Sequence, residues 1–440
     1  MTALFRLLHV ATIVHVAFSS VFRAPMIKKD TLQAKLLREK RLHEFRKANR
    51  VSLAKFAKGG VHRFDEGRAP FYDYGNTEYP LQIGVGTPPQ IFEVIPDTGT
   101  STVWIVDNTC DPNNSYYDCP IFCKESPLLC SQLCEDFCCP SNVTTPAPGN
   151  KRLFDHGDPC ANKPQFDYTA SSTYQQVSKT FNGSTELGDV SGYLGQDTFT
   201  IGELEIPYVI FGQADRLSVS FTNASVQGVL GLGFSDANFD NQSSVLQNAV
   251  DLDVLDNNMF TIWLQSEDGV PVDQPAGALT LGGFDFDHCP VDYTYVPRTS
   301  DSMFMINTVG FGTDVVKSSA NYNTLVTIGA SQIIVPRQVM LELTTATNAE
   351  FDWDYGLYEV DCSLRFLWSV WVKDGDDELR VNQSTLLLPS PDGRCFLDFV
   401  YFDEFLGDVD IVLGTPFLRQ FCTVYYRVSI TRLGFGKPLF

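Results

Sequence analysis

Short apolar segments separated by turn-forming residues dominate the chain from Asn76 onward. Residues 79–106, YPLQIGVGTPPQIFEVIPDTGTSTVWIV, predict a strand, a Gly-Thr-Pro-Pro turn, a second strand, a tight Asp-Thr-Gly loop and a third strand. Strand-like segments resume at Tyr193 and continue to the C-terminus. In residues 27–58, by contrast, leucines recur at roughly helical spacing, which predicts a partly helical arm before an all-β body.

A weak internal repeat divides the β-rich body into two halves. The segment FEVIPDTGTSTVWIV at 92–106 has a counterpart in NTLVTIGASQIIVP at 323–336. The later segment GVLGLG at 228–233 likewise has a counterpart in IVLGTP at 411–416. Because the paired elements occur in the same order in each half, we expect two related lobes.

Charge is distributed unevenly between the arm and the body. Residues 21–63 carry thirteen Lys and Arg against three Asp and Glu, whereas residues 64–440 carry eighteen against fifty. A basic arm of this kind can bind an acidic body at neutral pH and leave it when the carboxylates protonate. The alternative is a solvated basic tail. So acidic a body would repel phosphates, which argues against a nucleic-acid partner.

The first residues have the features of a secretory signal. Arg6 precedes an apolar segment from Leu7 to Phe18, and Ala17-Phe18-Ser19 offers small residues at the positions that a signal peptidase reads. We therefore expect a signal peptide at 1–19, with an uncleaved anchor as the alternative. No other stretch is apolar for 18 residues, so we expect no membrane span after signal removal. The expected location is secreted, or a lysosomal or endomembrane lumen.

Twelve cysteines also indicate an oxidising compartment. Eight of them lie between Cys110 and Cys160, which predicts a disulfide-linked insertion. The spacing of Cys130 and Cys134 allows a metal site as the alternative, but extracellular thiols are normally oxidised, so we expect neither metal nor cofactor. The sequence also contains six candidate glycosylation sites: Asn113, Asn142, Asn182, Asn223, Asn241 and Asn382.

The Asp-Thr-Gly loop is the clearest candidate for chemistry. Asp97 is followed by Thr98, Gly99, Thr100 and Ser101, and apolar strands are predicted on both sides. Hydroxyl groups next to a carboxylate on a tight turn can hold it by hydrogen bonds. If two such loops met, two carboxylates could share one proton, so that one acts as an acid and the other as a base on a bound water.

At these residues the chain resembles the pepsin family of aspartic peptidases. The resemblance extends over most of residues 21–440 and includes these motifs: Ile83 to Gln90, Phe92 to Trp104, Ser191 to Thr198, Gly228 to Gly233, Leu281 to Gly283, Ile411 to Arg419 and Gly434-Phe435. It implies an all-β, bilobal pepsin-like acid protease fold, with two β-barrel-like lobes and a central cleft for an extended peptide.

The resemblance also implies an organisation of the chain. A basic propeptide-like arm occupies residues 20–66, an N-terminal lobe 67–285 with the Cys-rich insertion at 110–160, and a C-terminal lobe 286–440. A C-lobe disulfide is implied between Cys362 and Cys395. Cys289 and Cys422 form a second disulfide or remain free thiols, and we favour the disulfide. The chain is expected to be a monomer.

The departures from the family pattern bear most directly on function. Thr327 stands at the position of the second catalytic aspartate, within Thr327-Ile328-Gly329-Ala330-Ser331. Ile328 replaces a threonine that would brace the two loops, and Ala330 replaces a hydroxyl residue. In the flap, Thr185 aligns with the family's tyrosine. A threonine hydroxyl cannot serve as an acid or base at mildly acidic pH, because its pKa is far too high.

Three functions remain open from the sequence. The first is a secreted pseudopeptidase that binds a peptide or protein in the cleft without cleaving it. The second is an active aspartic endopeptidase that works at acid pH with a degenerate second loop. The third is a structural or antigen-like glycoprotein, in which the lobes carry the Cys-rich insertion. The fold does not choose among them, because function depends on the site.

Overall fold

The structure is a computed structural model of the chain. It describes residues 21–28, 79–111, 158–185, 188–218, 221, 226–234, 243–265, 275–313, 317–318, 321–352, 357–365, 367–372, 377–390, 393–402, 408–427 and 432–439. The expected signal peptide, the region expected to be helical beyond residue 28, and the interior of the Cys-rich insertion lie outside these residues.

A 13-stranded sheet contains the strands of the first half of the chain and three strands from the second half. In spatial order its strands are β11 (Thr294–Pro297), β25 (Arg432–Gly436), β24 (Cys422–Tyr426), β9 (Met259–Leu264), β10 (Pro275–Leu281), β1 (Phe22–Ile27), β2 (Leu81–Val85), β3 (Gln90–Asp97), β8 (Gly228–Gly231), β4 (Val103–Val106), β7 (Leu204–Leu217), β6 (Gly188–Ile201) and β5 (Gln175–Thr185).

Two smaller sheets contain most of the second half. The 8-stranded sheet consists of β19 (Asp377–Asn382), β18 (Leu367–Val372), β12 (Met305–Thr313), β14 (Tyr322–Val326), β23 (Ile411–Leu413), β15 (Ile333–Pro336) and β22 (Phe399–Phe402), with β13 (Lys317–Ser318) paired to β12. The 4-stranded sheet consists of β16 (Glu350–Asp352), β17 (Leu357–Val360), β21 (Cys395–Leu397) and β20 (Leu387–Pro389). The expected all-β, bilobal pepsin-like fold is confirmed.

Helices are few and short in the described part of the chain. They are α1 (Val245–Asp251), α2 (Arg337–Thr347) and α3 (Thr415–Leu418). Ser244 caps α1 by accepting a hydrogen bond from the Gln247 amide, which satisfies one free donor of the first turn. Among the described helices, none has the length and apolar character needed to cross a bilayer.

The strands of the first sheet follow the burial that their sequences predict. Side chains of β3 alternate between buried and partly exposed positions, which is typical of a strand with one face on the core. Strand β4, Val-Trp-Ile-Val, is buried at every position, so it lies in the interior of the sheet packing. These two strands flank the Asp-Thr-Gly loop and hold both of its ends.

Three aromatic rings pack together where the two halves of the chain meet. Phe260 of β9 stacks on Tyr425 of β24 with ring centroids 4.7 Å apart, and Phe304 meets Tyr425 edge-on at 4.8 Å. All three are fully buried. Such contacts contribute stability beyond the apolar area they bury, so they join the strands of the two halves firmly.

The first described residues belong to the predicted arm, and they form a strand of the large sheet. Strand β1 pairs with β10 on one side and β2 on the other, and its Met26 is fully buried. Arg23 donates to the buried carboxylate of Asp285 at 2.7 Å and to Asp287 at 2.5 Å. The beginning of the arm is thus part of the folded body.

Three disulfides are present among the described residues. Cys110–Cys160 joins the two ends of the Cys-rich insertion. Cys362–Cys395 closes a separation of 33 residues, and Cys289–Cys422 closes one of 133 residues. The last of these ties the segment after β10 to the first residue of β24, so it stabilises the sheet that both halves share.

Removing these disulfides should have unequal effects. By the chain-entropy relation, the 133-residue separation corresponds to about 5 kcal/mol and the 33-residue separation to about 3.7 kcal/mol. We therefore expect Cys289→Ala/Cys422→Ala to lower the free energy of unfolding by about 1 kcal/mol more than Cys362→Ala/Cys395→Ala. Urea unfolding without reductant measures both. Equal losses would contradict the prediction.

Candidate active site

Asp97 and Thr327 are held by the same strand arrangement in the two halves. Asp97 ends β3, which runs parallel to β8 with Asp97 opposite Gly231. Thr327 follows β14, which runs parallel to β23 with Val326 opposite Leu413. In the first half β4 pairs antiparallel to β8, and in the second half β15 pairs antiparallel to β23. The repeated segments of the sequence therefore occupy equivalent places.

One glycine in each half, in or just after β8 and β23, allows the loop to approach that strand closely. A side chain at Gly231 would overlap the backbone of Ser101 and Thr102, and one at Gly414 would overlap the carbonyls of Ala330 and Gln332. Only glycine fits at these points, because a Cβ atom would displace the loop backbone. The glycines in GVLGLG and IVLGTP thus determine how closely each loop packs against the strand beside it.

The two loops meet at Asp97. Its Oδ1 atom accepts a hydrogen bond from the Gly99 amide at 2.7 Å and one from the Thr327 hydroxyl at 3.4 Å. A methyl group on Gly329 would overlap the Asp97 carboxylate, so glycine is required there as well. The site therefore brings together Asp97, Gly99, Thr327 and Gly329, as the motif predicts.

The Thr327 hydroxyl takes the hydrogen-bonding position that a carboxylate oxygen holds in the other loop. It accepts from the Gly329 amide at 3.0 Å, just as Asp97 Oδ1 accepts from the Gly99 amide at 2.7 Å. It lies 3.0 Å from the Thr98 hydroxyl as well. A hydroxyl has one hydrogen to donate, and here it is directed to Asp97.

Thr98 braces the two loops from one side. Its hydroxyl accepts from the Ile328 amide at 3.3 Å and lies 3.4 Å from the Val326 carbonyl. The residue at the equivalent position of the other loop, Ile328, has no hydroxyl and packs into the apolar core at 5% exposure. Thr98 alone therefore braces the two loops, whereas the resemblance implies one bracing threonine in each loop.

The remaining loop residues support the turns. Thr100 accepts a hydrogen bond from the Thr102 amide at 3.1 Å through its hydroxyl, and its carbonyl accepts from Gly233 at 2.7 Å. Ser101 is buried beside them. Ala330 is 1% exposed within an apolar cluster, so it gives the loop packing without a hydrogen-bond donor.

Burial raises the pKa of the Asp97 carboxyl above its usual value of 3.8, while hydrogen bonds from Gly99 and Thr327 act in the opposite direction. Desolvation disfavours the charged form of a carboxyl group, and no second carboxylate stands at Thr327 to share its proton. The site thus holds one carboxyl group that protonates more readily than an exposed aspartate does.

Two predicted positions lie on the hairpin of β5 and β6. Thr185 ends β5 and pairs with Gly188 across the turn. Asn182 pairs with Ser191 and is exposed. Of the other candidate glycosylation sites, Asn382 is exposed at the end of β19, whereas Asn113, Asn142, Asn223 and Asn241 lie outside the described residues.

This geometry agrees with a comparison of sequences. A family model described as eukaryotic aspartyl protease matches residues 78–437. The chain belongs to this family. Aspartic protease 2 of Necator americanus is 30% identical over 371 residues, covering 82% of this chain and 84% of the relative. Aspartic protease 1 of Caenorhabditis elegans is 26% identical over 424 residues, covering 96% of each chain. Human gastricsin (Homo sapiens) is 24% identical over 426 residues, covering 95% of each.

Some supporting residues of this aspartyl protease site carry no signal in the sequence. Tyr425, Phe304 and Phe260 form the buried aromatic layer between the halves, and Phe304 also accepts the Val326 amide through its carbonyl at 3.0 Å. These residues lie far apart in the chain and in no motif. Within the described residues, no group of three or more acidic, histidine or cysteine side chains is arranged to hold a metal ion.

The raised pKa of Asp97 predicts a stability change for Asp97→Asn. Its folded-state pKa lies above the unfolded value of 3.8, so ionised Asp97 destabilises the fold as the pH rises through the folded-state pKa. We expect Asp97→Asn to raise the melting temperature at pH 7 and to leave it unchanged well below pH 3.8. A melting-temperature profile across pH tests this. A stabilisation that is equal at both pH extremes would show that charge is not the cause.

Proposed function

We propose that this chain is a secreted aspartic protease homologue that binds an extended peptide or a protein partner and hydrolyses it poorly or not at all. The observation that carries the proposal is the Thr327 hydroxyl, which lies 3.4 Å from Asp97 Oδ1 at the place where the resemblance expects a second carboxylate. The backbone of the site is retained while its second titratable group is absent.

The chemistry of the aspartic dyad supports this proposal. Two close carboxyl groups cannot both ionise, so one serves as acid while the other activates water. Thr327 is 0% exposed and already accepts from Gly329 and Thr98, and its hydroxyl does not exchange a proton at acidic or neutral pH. Loss of such a group lowers a rate by about 10³-fold or more.

The neighbours of Thr327 changed in a consistent direction. Ile328 and Ala330 are apolar, buried and packed into separate core clusters. A carboxylate introduced at 327 would receive the Gly329 amide and the Thr98 hydroxyl, but no hydroxyl group from residues 328 and 330. The loop is therefore suited to an uncharged residue, which supports a binding role over catalysis.

The second candidate is a peptidase with residual activity at acid pH. The observation in its favour is that Asp97 keeps its Gly99 hydrogen bond and has a raised pKa, so the protonated form is accessible in mild acid. A single carboxyl group that holds a water with Thr327 could support slow hydrolysis. This candidate requires that activity disappear when Asp97 is removed.

Hydrolysis of a quenched peptide library near the carboxyl pKa values tests the two candidates. We expect the wild type and Asp97→Ala to be equally inactive, within detection, while both remain folded by circular dichroism. Activity in the wild type that vanishes in Asp97→Ala would refute the proposal and establish a peptidase with one aspartate.

Restoring the second carboxyl group should give an ordered series of activities. Thr327→Asp is expected to give weak activity, and Thr327→Asp/Ile328→Thr is expected to be about 10-fold more active or better, because the second hydroxyl restores the brace and a donor. Ile328→Thr alone is the matched control and should stay inactive. A series with no activity in any variant would mean that other parts of the site have also departed.

A further inference from the structure

Two arginines lie against one phenylalanine ring, away from the Asp97 site. The guanidinium carbon of Arg298 lies 4.1 Å from the ring centroid of Phe234, and that of Arg427 lies 5.3 Å from it. Arg298 follows β11 and Arg427 follows β24, so strands of the large sheet hold both. Two cations share one aromatic ring.

Much of the hydrogen-bonding capacity of these guanidinium groups is unused. Nε and Nη1 of Arg427 and Nε of Arg298 are buried without a partner. Arg298 Nη1 donates to the carbonyl oxygen of Asp301 at 3.2 Å. Among the described residues, no carboxylate forms an ion pair with either arginine. Buried guanidinium donors without an acceptor are costly, and two like charges add to that cost.

The electrostatics of the cluster reflect this lack of anions. The pKa of Arg427 is lowered to about 9, mainly by burial and also by the charge of Arg298. Burial also lowers the pKa of Arg298, which the charge of Asp301 opposes. Arg427 is 8% exposed, so its group is largely removed from water. Asp301 offsets part of one positive charge and leaves the other without compensation.

We propose that Arg298, Arg427 and Phe234 form a binding site for a small monovalent anion such as chloride. Guanidinium N–H groups supply directed donors, and the ring provides an apolar wall that strengthens their attraction to the anion. One negative charge is enough, because Asp301 already lies near Arg298. This site is distinct from the Asp97–Thr327 pair. The two are linked by Gly233, which precedes Phe234 and donates a hydrogen bond to the Thr100 carbonyl.

Thermal unfolding in chloride tests the proposal. Sodium chloride is titrated against sodium 2-morpholinoethanesulfonate at constant ionic strength, so that general screening stays fixed. For the wild type we expect a saturable rise in melting temperature of about 1 to 2 °C at tenfold excess over the dissociation constant. Acetate in a parallel titration distinguishes a halide site from one that also accepts a carboxylate.

Single substitutions test whether the chloride-dependent shift in melting temperature arises at this site. Arg298→Gln and Arg427→Gln should each abolish the chloride-dependent shift. Arg380→Gln is the matched control, because Arg380 is 59% exposed and pairs with Glu378 at the surface, and it should keep the full shift. If Arg427→Gln does not fold, Arg298→Gln still decides, since Arg298 is only partly buried.

A bromide-soaked crystal gives a readout that does not depend on stability. We expect an anomalous peak beside the guanidinium groups of Arg298 and Arg427. A chloride shift that persists in both glutamine variants would overturn the proposal, as would a wild type with neither shift nor peak. Asp236 and Asp240 follow Phe234 in the sequence. A chloride shift that is absent from the wild type and appears in Asp236→Asn/Asp240→Asn would also overturn the proposal, because a carboxylate of the chain would then take the anion's place.

Discussion

The contact between the Asp97 loop and the Thr327 loop is the constraint on which the rest of the site depends. Thr98 reaches the backbone of Val326 and Ile328, and Gly329 lies so close to Asp97 that no side chain fits between them. This approach is set by parallel strand pairs and by Gly231 and Gly414, not by the chemistry at the loop tips. The loops can therefore meet with a threonine at position 327.

The parts of this arrangement that are local in sequence could be predicted from it. The Asp-Thr-Gly loop, the altered loop at Thr327 and the paired Val-Leu-Gly segments are each short patterns next to strands, so the fold class and the loop positions follow. Contacts between distant residues could not be predicted in this way. Arg23 meets Asp285 across 262 residues, and Phe234 meets Arg298 and Arg427, with no motif in either case. For Cys289 and Cys422 the sequence left a disulfide and free thiols open, because it carries no distance between them.

Buried charge without full compensation is common to both regions. At Asp97, burial favours the neutral carboxyl group, because Thr327 offers a hydrogen bond but no charge. At Arg427, burial and the charge of the neighbouring Arg298 lower the pKa of the guanidinium group. Native proteins rarely keep such groups unless they are paired or used, which makes these two places the most informative ones in the molecule. At Asp97 the facing group is the hydroxyl of Thr327; at Arg427, the proposed anion would supply a negative charge.

The apolar residues around Thr327 stabilise the loop in a way that agrees with the proposed lack of catalysis. Burying Ile328 contributes about 1.5 to 3 kcal/mol, whereas one hydrogen bond of the lost brace contributes about 1 kcal/mol. Packing can therefore replace the brace with no loss of stability. Ile328 and Ala330, which follow position 327 in the loop, are both buried, and neither donates a hydrogen bond through its side chain. The ionised form of a carboxyl group introduced at position 327 would be poorly solvated, so both pKa values of the pair would be raised, although the shared proton would still separate them. The acid and base roles depend on where those two pKa values lie, so they are favoured by neighbouring hydroxyl groups as well as by a second aspartate.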